Sequence, residues 1–528
     1  MSFGQAFEHH QEANLLDLCQ ELRDRTYRPS RSVCFFAERP KLREIFAAPF
    51  RDRIVHHVLV AALERVWEPV FIHDSYACRR GKGIHRAARR LAQFIRQVTA
   101  NGTRPAWYLQ LDIQNYFMRI DRAILYDLLL PRLPTDNLRW LAATLIFHDC
   151  TADPEMRADP RLVDLLPPEK TLFHAPAGIG LPIGNLTSQF FANVYLNLLD
   201  QFVKHSLRCR FYLRYCDDFV LLAGSRDQLL AWRAAIAEFL ASALALNLNP
   251  RRQRLGQANG GIDFVGYLVR ADYSLVRRRV VGNLTARLRA AERHLVRILP
   301  DATRFSFDLP ALDRLVATIA SFLGHARHAN SHRLVAALWE RHAFLGRYFL
   351  LTPDLHRLVP RFRPPAGMGR VASQYRFFRW RFPEAVVFLQ VGSFIEFFSA
   401  RDEALASGLG LSPMAANRRG ARYGFPFAQL PRRRAAVLAA GRPVLFVAEA
   451  VPWHASPVPP IGVPLLAPGA QAAALGAGPG PARWERDAAT GPASTTAIRS
   501  GIFPPVAAAC TAIKPRLPLW LDEPRLAA

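Results

Sequence analysis

Two adjacent carboxylates, Asp217 and Asp218, sit between the apolar, β-prone runs Phe211-Tyr212-Leu213 and Phe219-Val220-Leu221-Leu222. The spacing predicts a hairpin with acids at its tip. Successive side chains of a strand point to opposite faces, so a turn is what lets both aspartates approach one ion cluster, and a third acid must come from elsewhere. Asp112 meets that need. It follows the apolar strand Trp107-Tyr108-Leu109 and stands at the strand's end, where a helix begins. Three carboxylates on a small sheet form a hard oxygen site suited to two Mg²⁺ ions, with Mn²⁺ as a substitute; such a pair activates a 3′-hydroxyl and stabilises a leaving pyrophosphate. The isolated pair reads equally well as a solvated turn, and Asp112 is what argues against that.

The chain around these acids has 528 residues, enough for two or three domains with their own cores. A formal net charge of +26 accompanies 50% hydrophobic residues, the balance of a folded body with a basic surface, and a polyanion is the expected partner. Only five of the 69 basic residues are lysine. Arginine binds phosphate bidentately and stacks on bases, although genome composition explains such a bias equally well. Seven scattered cysteines without a Cys-x-x-Cys argue against a zinc site or a disulfide framework. No signal-like start or long apolar run occurs, so a cytoplasmic protein without a membrane partner is expected.

Pattern along the chain predicts an α+β protein. Residues 1–105 are basic and mostly helical, and 106–275 hold the acid-bearing strands. Residues 276–355 lack strand alternation and read as a basic helical subdomain. A linker at 356–372 contains Pro364-Pro365-Ala366-Gly367, a compact αβ region covers 373–455, and 456–528 is Pro/Ala/Gly-rich and expected to be disordered.

With these residues assembled, the first 350 or so positions resemble reverse transcriptases, and among them the enzymes of diversity-generating retroelements. The motifs run in order: Phe50-Arg51-Asp52-Arg53-Ile54-Val55-His56-His57, Asp74-Ser75-Tyr76-Ala77-Cys78-Arg79-Arg80-Gly81-Lys82-Gly83, the Asp112 segment, Gly180-Leu181-Pro182-Ile183-Gly184-Asn185-Leu186-Thr187-Ser188-Gln189, and the Tyr215 hairpin. The resemblance implies a right-hand polymerase of fingers, palm and helical thumb. It implies Asp112, Asp217, Asp218 and the Ile113 carbonyl as metal ligands. Lys41 and Arg43 resemble the fingers residues that hold the incoming triphosphate; a solvated basic loop is the alternative. Tyr116 resembles the aromatic gate that excludes a ribose 2′-hydroxyl, or is an ordinary core tyrosine. Arg51, Arg79, Arg80 and Lys82 fall on the implied nucleic-acid path.

Where most reverse transcriptases place Gln in the loop contacting the nucleotide, this family has Ile-Gly-x-x-x-Ser-Gln, which Ile183, Gly184, Ser188 and Gln189 match. Isoleucine cannot donate a hydrogen bond. Losing one such bond, about 0.5–1.5 kcal/mol, relaxes base selection roughly two- to twelvefold; the alternative is that Ile183 packs under the loop. The family misincorporates opposite template adenines, and the resemblance implies the same here. Arg251 and Arg252 stand where related polymerases carry a lysine proposed to protonate pyrophosphate. Arginine is a poor acid, so the pair is expected to contact phosphate. Phe264-Val265-Gly266-Tyr267 resembles a primer-grip hairpin, in which Gly266 and Tyr267 approach the nucleic acid; an edge bulge is the alternative.

Residues 373–450 resemble the amino-terminal mismatch-recognition domain of MutS, through Gly392-Ser393-Phe394-Ile395-Glu396-Phe397-Phe398, Gly424-Phe425-Pro426 and Gly441-Arg442-Pro443-Val444. There a Phe wedges against a mispaired base and a Glu hydrogen-bonds it, so Phe394 and Glu396 are candidate mismatch contacts; a core position for Phe394 is the alternative. The implied partners are template RNA, the cDNA primer–template duplex, dNTPs and a small basic accessory protein. Rival expectations are a group II intron-like or antiphage-defence reverse transcriptase, and a non-catalytic RNA-binding scaffold.

Overall fold

The computed structural model describes residues 7, 9–38, 41–157, 161–162, 165–300, 302–363, 368, 370–398, 403–417 and 420–448, and the backbone of 461–468. They fall into two compact units, one running to Ser274 and one beginning at Leu275. No helix among the described residues is long and apolar enough to cross a membrane.

The first unit runs α1 (Gln11–Arg23), β1 (Val33–Ala37), β2 (Arg43–Ala47), α2 (Phe50–Trp67), α3 (Ile84–Val98), β3 (Trp107–Asp112), α4 (Tyr116–Arg119), α5 (Arg122–Leu129), α6 (Asp136–Ile146), β4 (Glu155–Met156), α7 (Leu186–Gln201), β5 (Phe211–Tyr215), β6 (Asp218–Ala223), α8 (Arg226–Leu244) and β7 (Arg254–Gln257). The hairpin β8 (Ile262–Phe264) and β9 (Tyr267–Val269) follows. β5, β6, β3 and β7 form, in that order, an antiparallel sheet. Leu109, Leu111, Phe219 and Leu221 of that sheet share one core with Phe191 and Tyr195 of α7 and Ile236 and Leu240 of α8. Burying each such side chain contributes about 1.5–3 kcal/mol. α7 is buried almost all round, and its inward polar side chains, Asn193 and Asp200 among them, are held by hydrogen bonds. Ser225 caps α8 by accepting from the Gln228 N–H, and Ala245, in the left-handed conformation, ends it.

Within the region through residue 105, expected to be mostly helical, the helices α1, α2 and α3 are accompanied by two strands the pattern did not show, β1 and β2, which pair antiparallel. Each has only five residues, too few for alternation to stand out. Their inner side chains Cys34 and Phe46 join Met118, Cys150 and Leu172 in a small second core.

The second unit contains helices α9 (Arg278–Leu295), α10 (Leu309–Ala326), α11 (His332–Arg341), α12 (Val371–Arg381), α13 (Glu403–Gly408) and α14 (Leu430–Ala439). Its strands are β10 (Val296–Ile298), β11 (Ala302–Phe305), β12 (Phe349–Leu351), β13 (Leu358–Pro360), β14 (Val386–Val391), β15 (Phe394–Phe398), β16 (Ala415–Asn417), β17 (Gly420–Pro426), β18 (Val444–Ala448) and β19 (Ile461–Pro468). Eight of them make one sheet in the order β10-β11-β19-β18-β14-β15-β17-β16.

Three expectations are corrected by this unit. The region 276–355 is not purely helical, since β10 and β11 lie within it. The linker is not a tether where it is described: β13 pairs with β12, and Arg361 and Phe362 are buried, with Arg361 bonding the Glu384 carboxylate at 3.0 and 3.1 Å. Pro364 to Gly367 lie outside the described residues. Within the expected disordered tail, 461–468 is a strand held by β11 on one side and β18 on the other; the rest of the tail lies outside the described residues. Backbone hydrogen bonding on both edges is what fixes this segment.

Candidate active site

Asp112 ends β3 and pairs directly with Asp218, the first residue of β6. Directly paired residues have Cα atoms about 4.5–5.5 Å apart with side chains on the same face. Cys216 and Asp217 form the two-residue tip between Tyr215 and Asp218, and the Asp217 carbonyl accepts from the Ile113 N–H at 3.3 Å. The backbone thus brings the three acids to one end of the sheet. Cys216 has φ +58°, the sign that a tight hairpin requires at its first tip residue and one that a non-glycine residue adopts at a cost of about 1–3 kcal/mol.

Around the acids the side chains are already engaged. Asp112 is 7% exposed and accepts from Asn249 Nδ2 at 2.9 Å and from Arg252 Nη1 at 3.3 Å. Asp218 accepts from Gln110 Nε2 at 3.0 Å. Burial, and then the neighbouring charge of Asp112, push the Asp217 carboxyl above its usual range. Among the described residues, no group of three or more His, Cys, Asp or Glu side chains stands where it could hold one ion. The expected three-carboxylate cluster is therefore not assembled at the side chains. Asp112 is drawn to Asn249 and Arg252, and Asp218 to Gln110. The donors still fit a hard divalent cation in kind, because all three side chains offer carboxylate oxygens and the like charges of Asp112 and Asp217 face one another.

Beneath the tip lies a polar network that the sequence reading missed. Arg214 and Asp200 are 1% and 0% exposed and meet through Nε–Oδ1 at 2.8 Å and Nη2–Oδ2 at 2.6 Å. Tyr212 donates its hydroxyl to Asp200 at 2.7 Å. Arg214 Nη1 then donates to the Cys216 carbonyl at 3.0 Å and to Asn193 Oδ1 at 3.3 Å. An arginine ties the strained turn to α7. The available signal was a charge inside each apolar run, Arg214 in Phe-Tyr-Leu-Arg-Tyr and Asp200 at the end of α7.

The Ile183 loop lies against β2. Ile183 packs on the Cys34–Phe46–Met118 core, as in the alternative given for it, and its carbonyl accepts from the Phe46 N–H at 2.9 Å. Gly184 has φ +129°, and a Cβ there would lie 2.7 Å from the Phe46 carbonyl oxygen. Asn185 is buried and its Oδ1 accepts from the Ala48 N–H at 3.1 Å. Gln189 is exposed on the first turn of α7, and Lys41 and Arg43 are exposed before and at the start of β2. Tyr116 is 2% exposed, its hydroxyl donating to the Ala192 carbonyl at 2.6 Å, as a core tyrosine would be.

Among the residues placed on the nucleic-acid path, Arg51 and Arg79 require correction. Arg51 binds Glu21 and Asp52 and lies over the Tyr27 ring. Arg79 grips the Glu68 carboxylate and donates to the Ile72 and Ser75 carbonyls at 2.7 and 3.0 Å. Both guanidinium groups are committed within the protein. Lys82 donates to the His73 carbonyl at 2.7 Å, whereas Arg80 and Arg251 are exposed. Tyr267 is buried with its hydroxyl 2.8 Å from His85 Nδ1. Val265 and Gly266 form the β8–β9 tip with φ +43° and +92°; the first is a left-handed conformation that β-branched residues rarely adopt. In the second unit Phe394 is 39% exposed, but Glu396 is 6% exposed and paired with Arg422 at 3.6 Å.

Residues 37–269 match the family model for reverse transcriptase (RNA-dependent DNA polymerase), a span that lies within the first unit. Protein YkfC of Escherichia coli is 26% identical over 289 residues, 48% of this chain and 71% of that protein. The group II intron-encoded protein LtrA of Lactococcus lactis is 26% identical over 195 residues, 36% of this chain but only 28% of its own length. Apo telomerase from Candida tropicalis, truncated from its C-terminal domain, gives a TM-score of 0.35 at 11% identity, covering 47% of this chain and 55% of that one, too slight a likeness to bear on the site.

Proposed function

We propose that this chain is an RNA-directed DNA polymerase, a reading supported by the match of residues 37–269 to the reverse transcriptase family model and by the likeness to LtrA, and that it serves a diversity-generating retroelement, copying a template RNA into cDNA with errors opposite adenine. The observation that carries the polymerase chemistry is the direct pairing of Asp112 with Asp218, with Asp217 adjacent at the tip. Asp112, Asp217 and Asp218, with the Ile113 carbonyl, would hold two Mg²⁺ ions, which when bound supply activation of the 3′-hydroxyl and neutralise the pyrophosphate.

The chain's own residues do the rest. Asn249 and Arg252 orient Asp112, and the fixed charge of Arg252 beside the acids suits it to stabilise phosphate oxygens without transferring a proton. Lys41 and Arg43 hold the triphosphate, with Gly184 and Gln189 beside the nucleotide, while Tyr116, buried with its hydroxyl on the Ala192 carbonyl, serves as a core residue. Ile183 supports low fidelity, since its side chain packs inward and offers no donor. Template RNA, the primer–template duplex and a small basic accessory protein are the proposed partners, with Arg80 and Arg251 on the nucleic-acid side. In the MutS-like region Phe394 stacks on the duplex; Glu396, buried against Arg422, is not free to join it.

A group II intron-like enzyme is the second reading, favoured by the likeness to LtrA. Primer extension on a defined RNA with Mg²⁺, template RNA and accessory protein, followed by sequencing of the cDNA, separates them. Errors concentrated at template adenines are expected. Faithful cDNA assigns the intron-like role, and no incorporation at all leaves only a scaffold.

A further inference from the structure

Three consecutive residues fasten the nucleotide loop to β2. The Ile183 carbonyl accepts from Phe46, Gly184 lies so close to the Phe46 carbonyl that only glycine fits, and Asn185 Oδ1 accepts from Ala48. Asparagine at a helix N-cap ordinarily accepts from the first turn of its own helix. Asn185 occupies the N-cap of α7 and makes no such bond. Its oxygen is turned instead to the end of β2, the strand that begins at Arg43. With Ile183 packed inward, this loop can act on a nucleotide only through where its backbone stands.

We propose that Asn185 is a positioning residue that locks the base-side loop and the triphosphate-side strand into one body, so that the two ends of an incoming dNTP are registered against each other. This rests on the reading of the chain as a dNTP-using polymerase. The Asn185–Ala48 bond is buried and joins residues 137 apart in sequence, so nothing local replaces it. Removing the acceptor loosens the loop on β2, where the Ile183–Phe46 bond remains, and strands the Ala48 N–H. That loosening affects nucleotide registration before it affects the distant acids.

The test is Asn185→Ala beside Asn185→Asp, which keeps an oxygen acceptor at the same reach. Asn185→Ala should raise the dNTP KM roughly three- to tenfold with kcat changed less than about twofold, the size expected for one buried hydrogen bond. Misincorporation should rise together with KM, and Asn185→Asp should stay near wild type in both. A wild-type KM and error spectrum for Asn185→Ala overturns the proposal, as does a fall confined to kcat or an Asn185→Asp no better than Ala. If Asn185→Ala does not fold, Asn185→Ser, whose hydroxyl falls short of Ala48, carries the same expectation. dNTP binding in Ca²⁺ without turnover is read in parallel. A wild type that binds dNTP but does not polymerise sinks the polymerase reading and leaves the Asn185 comparison standing on affinity; one that does neither sinks both.

Discussion

Arg214 and Asp200 are held out of water by each other, so their importance lies in what happens when one is left alone. Breaking such a buried pair costs about 3–5 kcal/mol, whereas replacing both with well-fitting apolar residues is close to neutral. Arg214→Met should therefore destabilise the protein strongly, and Arg214→Met with Asp200→Leu should recover part of the loss in urea unfolding, the remainder reflecting the Tyr212 hydroxyl left without its acceptor. Recovered stability without recovered polymerase activity is expected, because the bond to the Cys216 carbonyl at the acid-bearing tip stays missing. His56 gives a second outcome. It is buried in a cleft beside Asp52, His148 and Asn185, and burial lowers its pKa to about 4 from 6.5. Above pH 6.5 both folded and unfolded chains carry it neutral. As pH falls from 6.5 towards 4 the unfolded chain takes up a proton that the native chain refuses, so stability is lost, by at most about 3 kcal/mol. His56→Asn should flatten the urea-midpoint curve across that window; a slope equal to wild type would rule this out. At this scale the place of Asp112, Asp217 and Asp218 at one end of a sheet was legible from the apolar strands beside them. Asn249 and Gln110 were not, since an amide announces nothing until a fold brings it to a carboxylate.

At the scale of elements, the acid-bearing hairpin and β3 could be read because their apolar runs are bounded by the acids themselves. β10 and β11 could not. Val-Arg-Ile and Ala-Thr-Arg-Phe are short and interrupted by charge, and they follow a basic helix whose pattern masks them. β19 was hidden by composition, since Ile-Gly-Val-Pro-Leu-Leu-Ala-Pro reads as linker and becomes a strand only because β11 and β18 each offer it an edge. Removing residues 456–528 should consequently lower the stability of the second unit by at least about 3 kcal/mol, or roughly 6–12 °C in Tm. Removing 469–528 should leave that unit's Tm unchanged. Equal Tm values for the two truncations, measured by calorimetry, would show that β19 contributes nothing.

For the molecule as a whole, the net charge of +26 points to a polyanionic partner without saying which face would meet it. Two of the arginines chosen from motifs, Arg51 and Arg79, turned out to hold the protein to itself. A basic total is a property of the surface average, and only coordinates divide it into inward and outward guanidinium groups. Domain boundaries drawn from composition fared likewise. A cut at residue 370, which pattern alone would place between modules, passes through one continuous sheet and removes six of its eight strands.

That sheet also has an order of assembly imposed by the ribosome. β11 emerges roughly 160 residues before β19, some 8–30 s at a synthesis rate of about 5–20 residues per second. For most of that interval β11 carries a single unpaired edge, open to any extended peptide that finds it first, and the second wall of the slot arrives with β18 only about 13 residues before β19.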